Sequence, residues 1–135
     1  MKNVLFVCIE NSCRSQMAEG IAKILTNGAI SFYSAGSKPL GEVNNNAIRA
    51  MEEIGIDISN AKSKGFNNLP TKAFDYAVTL GCKDICPFIS ADKHIHWDIA
   101  DPKGKDIDAF RKARDEIKEK VNEFVGIILK ENRTT

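Results

Sequence analysis

Apolar residues in this chain follow two rhythms, short unbroken runs and a recurrence at every third or fourth position. Val4 to Val7 is a continuous apolar run with β-branched and aromatic members. That is the pattern of a strand buried on both faces of a parallel sheet, and it ends at Cys8. After the stretch Cys8 to Arg14, Met17, Ile21, Ile24 and Leu25 return at helical spacing, with Ser15 placed as a helix-start residue. A second strand is predicted around Ile30 to Ser34. Gly36, Pro39 and Gly41 then mark a turn, and a helix is predicted from about Asn44 to Ile54, stopping before Gly55.

A third strand reads clearly at Tyr76 to Leu80 and a short one around His94 to Trp97. Beyond the turn Asp101-Pro102-Lys103-Gly104, the residues Ile107, Phe110, Ile117, Val121, Phe124 and Ile128 mark a long amphipathic C-terminal helix. The polar tail from Lys130 is expected to fray. Strands alternating with helices predict an α/β fold, three layers around a central four-stranded parallel sheet. There is no internal repeat, low-complexity segment or linker, and 135 residues suit one core, so a single domain over residues 1–135 is expected.

Nineteen basic against eighteen acidic residues give a formal charge of +1. No global field is available to hold a polyanion such as nucleic acid, so any anion bound must be met locally. The apolar run near the N-terminus, Val4 to Ile9, is too short for a membrane span and carries no signal-peptide cleavage pattern, which leads us to expect a cytoplasmic protein with no membrane partner. Four cysteines in a reducing compartment argue for metal binding or thiol chemistry over a static disulfide framework.

The segment Cys8-Ile9-Glu10-Asn11-Ser12-Cys13-Arg14-Ser15 places a cysteine and an arginine six positions apart, between a buried strand and the first turn of a helix. Backbone N–H groups of a tight loop at a helix N-terminus converge on one point, where the helix dipole adds positive potential, so Ile9, Glu10, Asn11, Ser12, Cys13 and Arg14 are the candidate oxyanion cradle. Arg14 completes it with a planar, two-pronged donor. The same field favours a thiolate at Cys8, the candidate nucleophile, and Ser15 could hydrogen-bond that thiolate while capping the helix. The bland alternative makes Cys8 and Cys13 small buried apolar residues and Arg14 a surface residue.

The run from Val7-Cys8 through Asn11-Ser12-Cys13-Arg14-Ser15-Gln16-Met17-Ala18-Glu19-Gly20 closely resembles the signature of the low-molecular-weight phosphatase and arsenate reductase family. Ser34-Ala35-Gly36, Gly55-Ile56-Asp57-Ile58-Ser59, Asp101-Pro102 and Arg114-Asp115-Glu116-Ile117 extend the likeness over essentially the whole chain. One departure lies in the loop: Glu10 stands where the family usually has glycine, and its carboxylate is expected to face solvent. The resemblance implies a low-molecular-weight phosphatase-like fold and a general-acid role for Asp101, presented by the turn that Pro102 fixes. The alternative for Asp-Pro is a plain turn starter. Relatives that hydrolyse phosphotyrosine follow this pair with an aromatic residue, whereas this chain has Lys103 and Gly104. That favours a small inorganic oxyanion, arsenate or a phosphate-like ion, over a phosphoprotein.

Cys82 and Cys86 follow the third strand, at the carboxyl edge where sites gather in open α/β sheets. In the arsenate reductases that this chain resembles, a second thiol attacks the arsenic adduct and a third takes over the disulfide, which implies Cys82 and Cys86 in turn. A four-residue separation on a helix is about 6 Å along the axis, so their bond requires that turn to distort. No bound cofactor is expected. The resemblance implies an external thiol reductant, thioredoxin first, with glutathione or another low-mass thiol as alternatives because Gly81 and the short cysteine spacing depart from thioredoxin-coupled relatives. Cys13 stays open as a competing resolving thiol, and both Cys82 and Cys86 could be packing residues.

Two further alternatives remain. A low-molecular-weight tyrosine phosphatase would use the same Cys8, Arg14 and Asp101. A zinc module of Cys82, Cys86, His94 and His96 has an unusual His-x-His spacing; the plainer account has one of these histidines facing the core and the other solvent, with Trp97 packing near the Asp101 loop. Many relatives build a monovalent-cation site from residues matching Asn11, Glu19 and Ser34, and here Lys64 matches the acidic side chain that completes it. The resemblance thus implies an ammonium in the cation's place.

Overall fold

The computed structural model describes residues 2–81 and 89–133. Four strands form one parallel sheet in the order β2-β1-β3-β4. They are β1 (Asn3–Cys8), β2 (Ser31–Gly36), β3 (Ala73–Leu80) and β4 (Ser90–Trp97), and the helices are α1 (Arg14–Thr26), α2 (Asn45–Glu52) and α3 (Ile107–Arg133). The strand at the centre of the sheet is the continuous apolar run: Val4 pairs with Phe32 of β2 on one side and Tyr76 of β3 on the other.

Because successive strand residues point to opposite faces, β1 feeds two cores. Val4 and Phe6 join the larger one, with Met17 and Ile21 of α1, Ala47 and Met51 of α2, and Phe110, Ile117, Val121 and Phe124 of α3. Leu5 and Val7 join the smaller one on the other face with Ala35 and Phe74, closed by Phe66 of the short 3-10 turn Phe66–Asn68 and by Leu69. Among the described residues the sheet therefore packs against α1, α2 and α3 on one face and is covered by the short 3-10 turn and its neighbours on the other, an α/β arrangement. Aromatic rings tie α3 to it: Phe124 meets Phe6, Tyr76 and Trp97 edge-on, with centroids 6.5, 5.2 and 5.8 Å apart.

Several expectations shift in detail. Asn44 caps α2, its Oδ1 accepting from the Asn46 N–H at 2.8 Å. Helix α1 begins at Arg14 with Cys13 as the N-cap residue and no side-chain cap, so Ser15 lies inside the helix and does not cap it. Ile24 is 63% and Leu25 42% exposed, because the buried stripe of α1 runs through Met17, Ala18, Ile21 and Ala22 and leaves those two residues beyond the seam. The tail from Lys130 stays helical to Arg133. His94 and His96 are both exposed, since residues two apart on a strand share a face and Ile95 takes the inward position. Among the described residues, no helix is long and apolar enough to cross a membrane.

β1 has β2 on one side and β3 on the other, so the chain reverses its progress across the sheet beside it. Crevices at the carboxyl ends of strands flanking such a reversal are where open α/β sheets hold ligands. The loop that leaves β1 at Cys8 opens there.

Candidate active site

The loop from Cys8 to Arg14 is held from both ends. At the strand end, Cys8 lies level with Gly36 of β2 in the sheet register. A Cβ on Gly36 would come within 2.5 Å of the Ile9 carbonyl oxygen and 2.8 Å of the Asn11 nitrogen, so only glycine lets the loop backbone close down on β2. The loop then turns at Asn11, whose φ of 52° is left-handed. Asparagine is among the side chains that tolerate this conformation best.

The Asn11 side chain is fully buried and works at both ends. Its Oδ1 accepts from Gln16 Nε2 and from the Lys64 backbone N–H, both at 2.9 Å, while its Nδ2 donates to Ser15 Oγ at 2.7 Å. Ser15 Oγ lies 2.9 Å from Cys8 Sγ. Because the hydroxyl already accepts from Asn11, its single proton is free to point at the sulfur. The role expected of Ser15 toward Cys8 thus has the right geometry, with the capping role removed.

Arg14 is only 5% exposed and reaches across the sheet. Its Nη1 donates to the Ile99 carbonyl oxygen at 2.9 Å and its Nη2 lies 3.7 Å from Asp101 Oδ2. The guanidinium rests against Gly81, a left-handed residue (φ 77°) where a Cβ would fall 2.0 Å from Nη1. Asp101 is tethered by its own turn, Oδ1 accepting from the Lys103 N–H at 3.0 Å. A cavity of about 10 Å³ is lined by Cys8, Ile9, Glu10, Ser12, Cys13, Arg14 and Asp101, so thiol, cradle and carboxyl meet at one opening.

Cys13 is buried beside this cavity, and burial pushes its thiol up to about 11 against a weaker opposing hydrogen bond with the Ser12 hydroxyl. Glu10 turns its carboxylate to the partly exposed rim, where Lys103 Nζ meets both oxygens at 2.7 Å. Cys82 and Cys86, expected to complete the chemistry, lie outside the described residues, as does the cysteine half of the zinc alternative. Among the described residues no cluster of three or more metal-ligating side chains forms.

Lys64 Nζ stands 3.4 Å from Ser34 Oγ, 3.3 Å from the Lys62 carbonyl oxygen and 3.8 Å from Glu19 Oε1. Sequence reasoning passed over Gln16 as a functional residue, although it pins both the Asn11 side chain and, at 3.2 Å, the Asn11 carbonyl. The available signal was a polar side chain next to Met17 on the inward stripe of α1. The Ile99 carbonyl had no signal, because a backbone acceptor has no residue type.

The low molecular weight phosphotyrosine protein phosphatase family profile matches residues 3–134. Arsenate reductase 1 of Staphylococcus epidermidis is 45% identical over 127 residues, covering 91% of this chain and 95% of that protein. The glutaredoxin arsenate reductase of Synechocystis sp. is 40% identical over 131 residues, 95% of this chain and 99% of its own. The solved structure of an arsenate reductase in the phosphate binding state superimposes with a TM-score of 0.86 at 40% identity, covering 95% of this chain and 99% of that one.

Proposed function

The chain belongs to the low molecular weight phosphotyrosine protein phosphatase family, and from that premise we propose that it is an arsenate reductase, an oxidoreductase that draws electrons from an external thiol. The observation that carries the reading is the meeting of the Cys8 thiol, the Arg14 guanidinium and the Asp101 carboxyl at one small cavity whose lining, among the described residues, holds no aromatic side chain. Such a site suits a bare tetrahedral oxyanion better than an aryl ester.

In the proposed reaction, arsenate sits on the loop N–H groups and the Arg14 fork. The Cys8 thiolate attacks arsenic, and Asp101 donates a proton to the departing oxygen, which leaves as water. Cys82 then attacks the adduct, a disulfide forms between Cys8 and Cys82, and arsenite leaves. Two thiols have become one disulfide as arsenic gains two electrons. Cys86 next exchanges into that disulfide, freeing Cys8 and carrying the oxidising equivalents to a Cys82–Cys86 bond that the reductant opens. Thioredoxin is the proposed donor, glutaredoxin with glutathione the competing one, and the proposed compartment is the cytoplasm.

The test compares arsenate reduction with p-nitrophenyl phosphate hydrolysis in Cys82→Ser. Multiple-turnover reduction is expected to vanish, while slow ester hydrolysis persists because water resolves the phosphocysteine. Normal arsenate turnover by that variant removes the relay. Ester hydrolysis with no arsenate reduction in the unaltered protein makes it a phosphatase instead.

A further inference from the structure

A carboxylate beside an anion site works against binding, and Glu10 puts one on the loop that lines the oxyanion cavity. Its backbone is fixed there, the Glu10 carbonyl accepting from the Leu40 N–H at 3.1 Å and from the Ser63 hydroxyl at 2.7 Å, so the loop cannot easily carry the charge away. Lys103 meets it with a two-pronged contact, Nζ lying 2.7 Å from each carboxylate oxygen. That carboxylate is also the first cause of the raised pKa of Lys103, which keeps its charge. The two residues come from opposite walls. Glu10 lies two positions beyond Cys8, and Lys103 lies two beyond Asp101 and donates its backbone N–H to that carboxyl. The pair therefore spans the rim from the oxyanion loop to the Asp101 turn, with side chains 28% and 41% exposed above a Cys8 that is 3% exposed.

We propose that Glu10 and Lys103 form a specificity-determining pair that admits a bare tetrahedral oxyanion and disfavours a phosphate monoester; the proposal rests on the arsenate reductase reading of the same site. Two effects act together. In-line attack by Cys8 directs the leaving oxygen toward Asp101, so the organic group of an ester must pass the rim through space that the Lys103 side chain crosses. A departing water needs no such passage. Lys103 also cancels the Glu10 charge, which would otherwise repel a dianion in the cavity. An exposed ion pair favours its closed arrangement by no more than about fivefold, so the filter is graded and not absolute.

The experiment uses inorganic phosphate and p-nitrophenyl phosphate, neither of which needs a resolving thiol. Lys103→Ala is expected to weaken phosphate binding, measured by calorimetry, by about five- to tenfold through the unmasked carboxylate. Glu10→Ala/Lys103→Ala is expected to regain most of that loss and to raise ester turnover relative to phosphate affinity by about fivefold. Wild-type phosphate binding in Lys103→Ala overturns the masking role. An unaltered ratio of ester turnover to phosphate affinity in the double variant overturns the specificity role. Arsenate reduction by the unaltered protein is measured alongside, and its absence counts against the reductase reading while both other readouts stand.

Discussion

Cys8 owes its environment to a chain of single hydrogen-bond choices. Gln16 and the Lys64 N–H occupy the Asn11 carbonyl end, which turns its amide toward Ser15, and the amide in turn leaves the Ser15 proton to the Cys8 sulfur. Cys13, five positions on in sequence, meets the Ser12 hydroxyl, but burial outweighs that contact; a thiol pushed up to about 11 stays protonated at neutral pH and is a poor attacking group. That supports Cys82 over Cys13 as the proposed resolving thiol. Gly81 matters through what it lacks. In Gly81→Ala the new Cβ would fall 2.0 Å from Arg14 Nη1 and 2.9 Å from the Ile99 carbonyl oxygen, so the guanidinium is pushed off its backbone acceptor. We expect kcat/KM for p-nitrophenyl phosphate to fall by about 10²-fold, the usual cost of losing an oxyanion donor. The left-handed backbone adds a stability cost of about 1–2 kcal/mol. In an Arg14→Ala background the stability cost should remain and the further kinetic loss should disappear; an undiminished kinetic loss there would show that Gly81 acts on something other than Arg14.

Elements meet at the site because the β1–loop–α1 unit is clamped by the segment around residues 62–64. The Lys64 ammonium fits between Ser34 of β2, Glu19 of α1 and the Lys62 carbonyl, a position suited to a monovalent cation. Arsenate reduction is therefore expected to be the same in potassium and sodium salts at constant ionic strength, and strong potassium stimulation would show that the ammonium does not fill that place. Helices α2 and α3 are joined by a different device: Glu53, just past α2, accepts from Arg111 and Arg114 of α3. Those bonds hold its carboxyl down to about 2. A depressed carboxyl contributes stability above its unfolded pKa, and that contribution is lost as pH falls through the folded value. Wild-type stability should therefore drop more steeply than that of Glu53→Gln between about pH 4.5 and 2, as followed by urea unfolding. Parallel curves would remove the linkage. Burial at the helix termini was less legible than the helices themselves. The apolar period located α1 and α3, yet Ile24 and Leu25 matched the period and still face solvent, because period alone does not say how wide a stripe the neighbouring elements cover.

For the whole molecule, the sheet order β2-β1-β3-β4 places the reversal point beside Cys8, and the aromatic contacts of Phe124 with Phe6, Tyr76 and Trp97 hold α3 against that sheet. Phe124→Ala should lower the unfolding free energy by about 3–5 kcal/mol in denaturant titration, and a loss under about 1 kcal/mol would mean that the core closes around the gap. The sequence by itself determined the parts whose cause is local. The apolar run of β1 needs burial on two faces, the recurring apolar residues of α3 need one, and Cys8 and Arg14 are brought together by the short loop between a strand and a helix. Tertiary structure alone decided the rest. Arg14 finds its acceptor at Ile99, 85 residues away, and Glu10 finds Lys103 at a separation of 93. Ser15 serves the Cys8 sulfur and not the helix end because the loop fold makes Cys13 the N-cap residue. Periodicity records which face of an element is buried, and residue type records what chemistry a side chain can do. Which distant groups come within 3 Å depends on strand order and loop closure, which neither of those signals encodes.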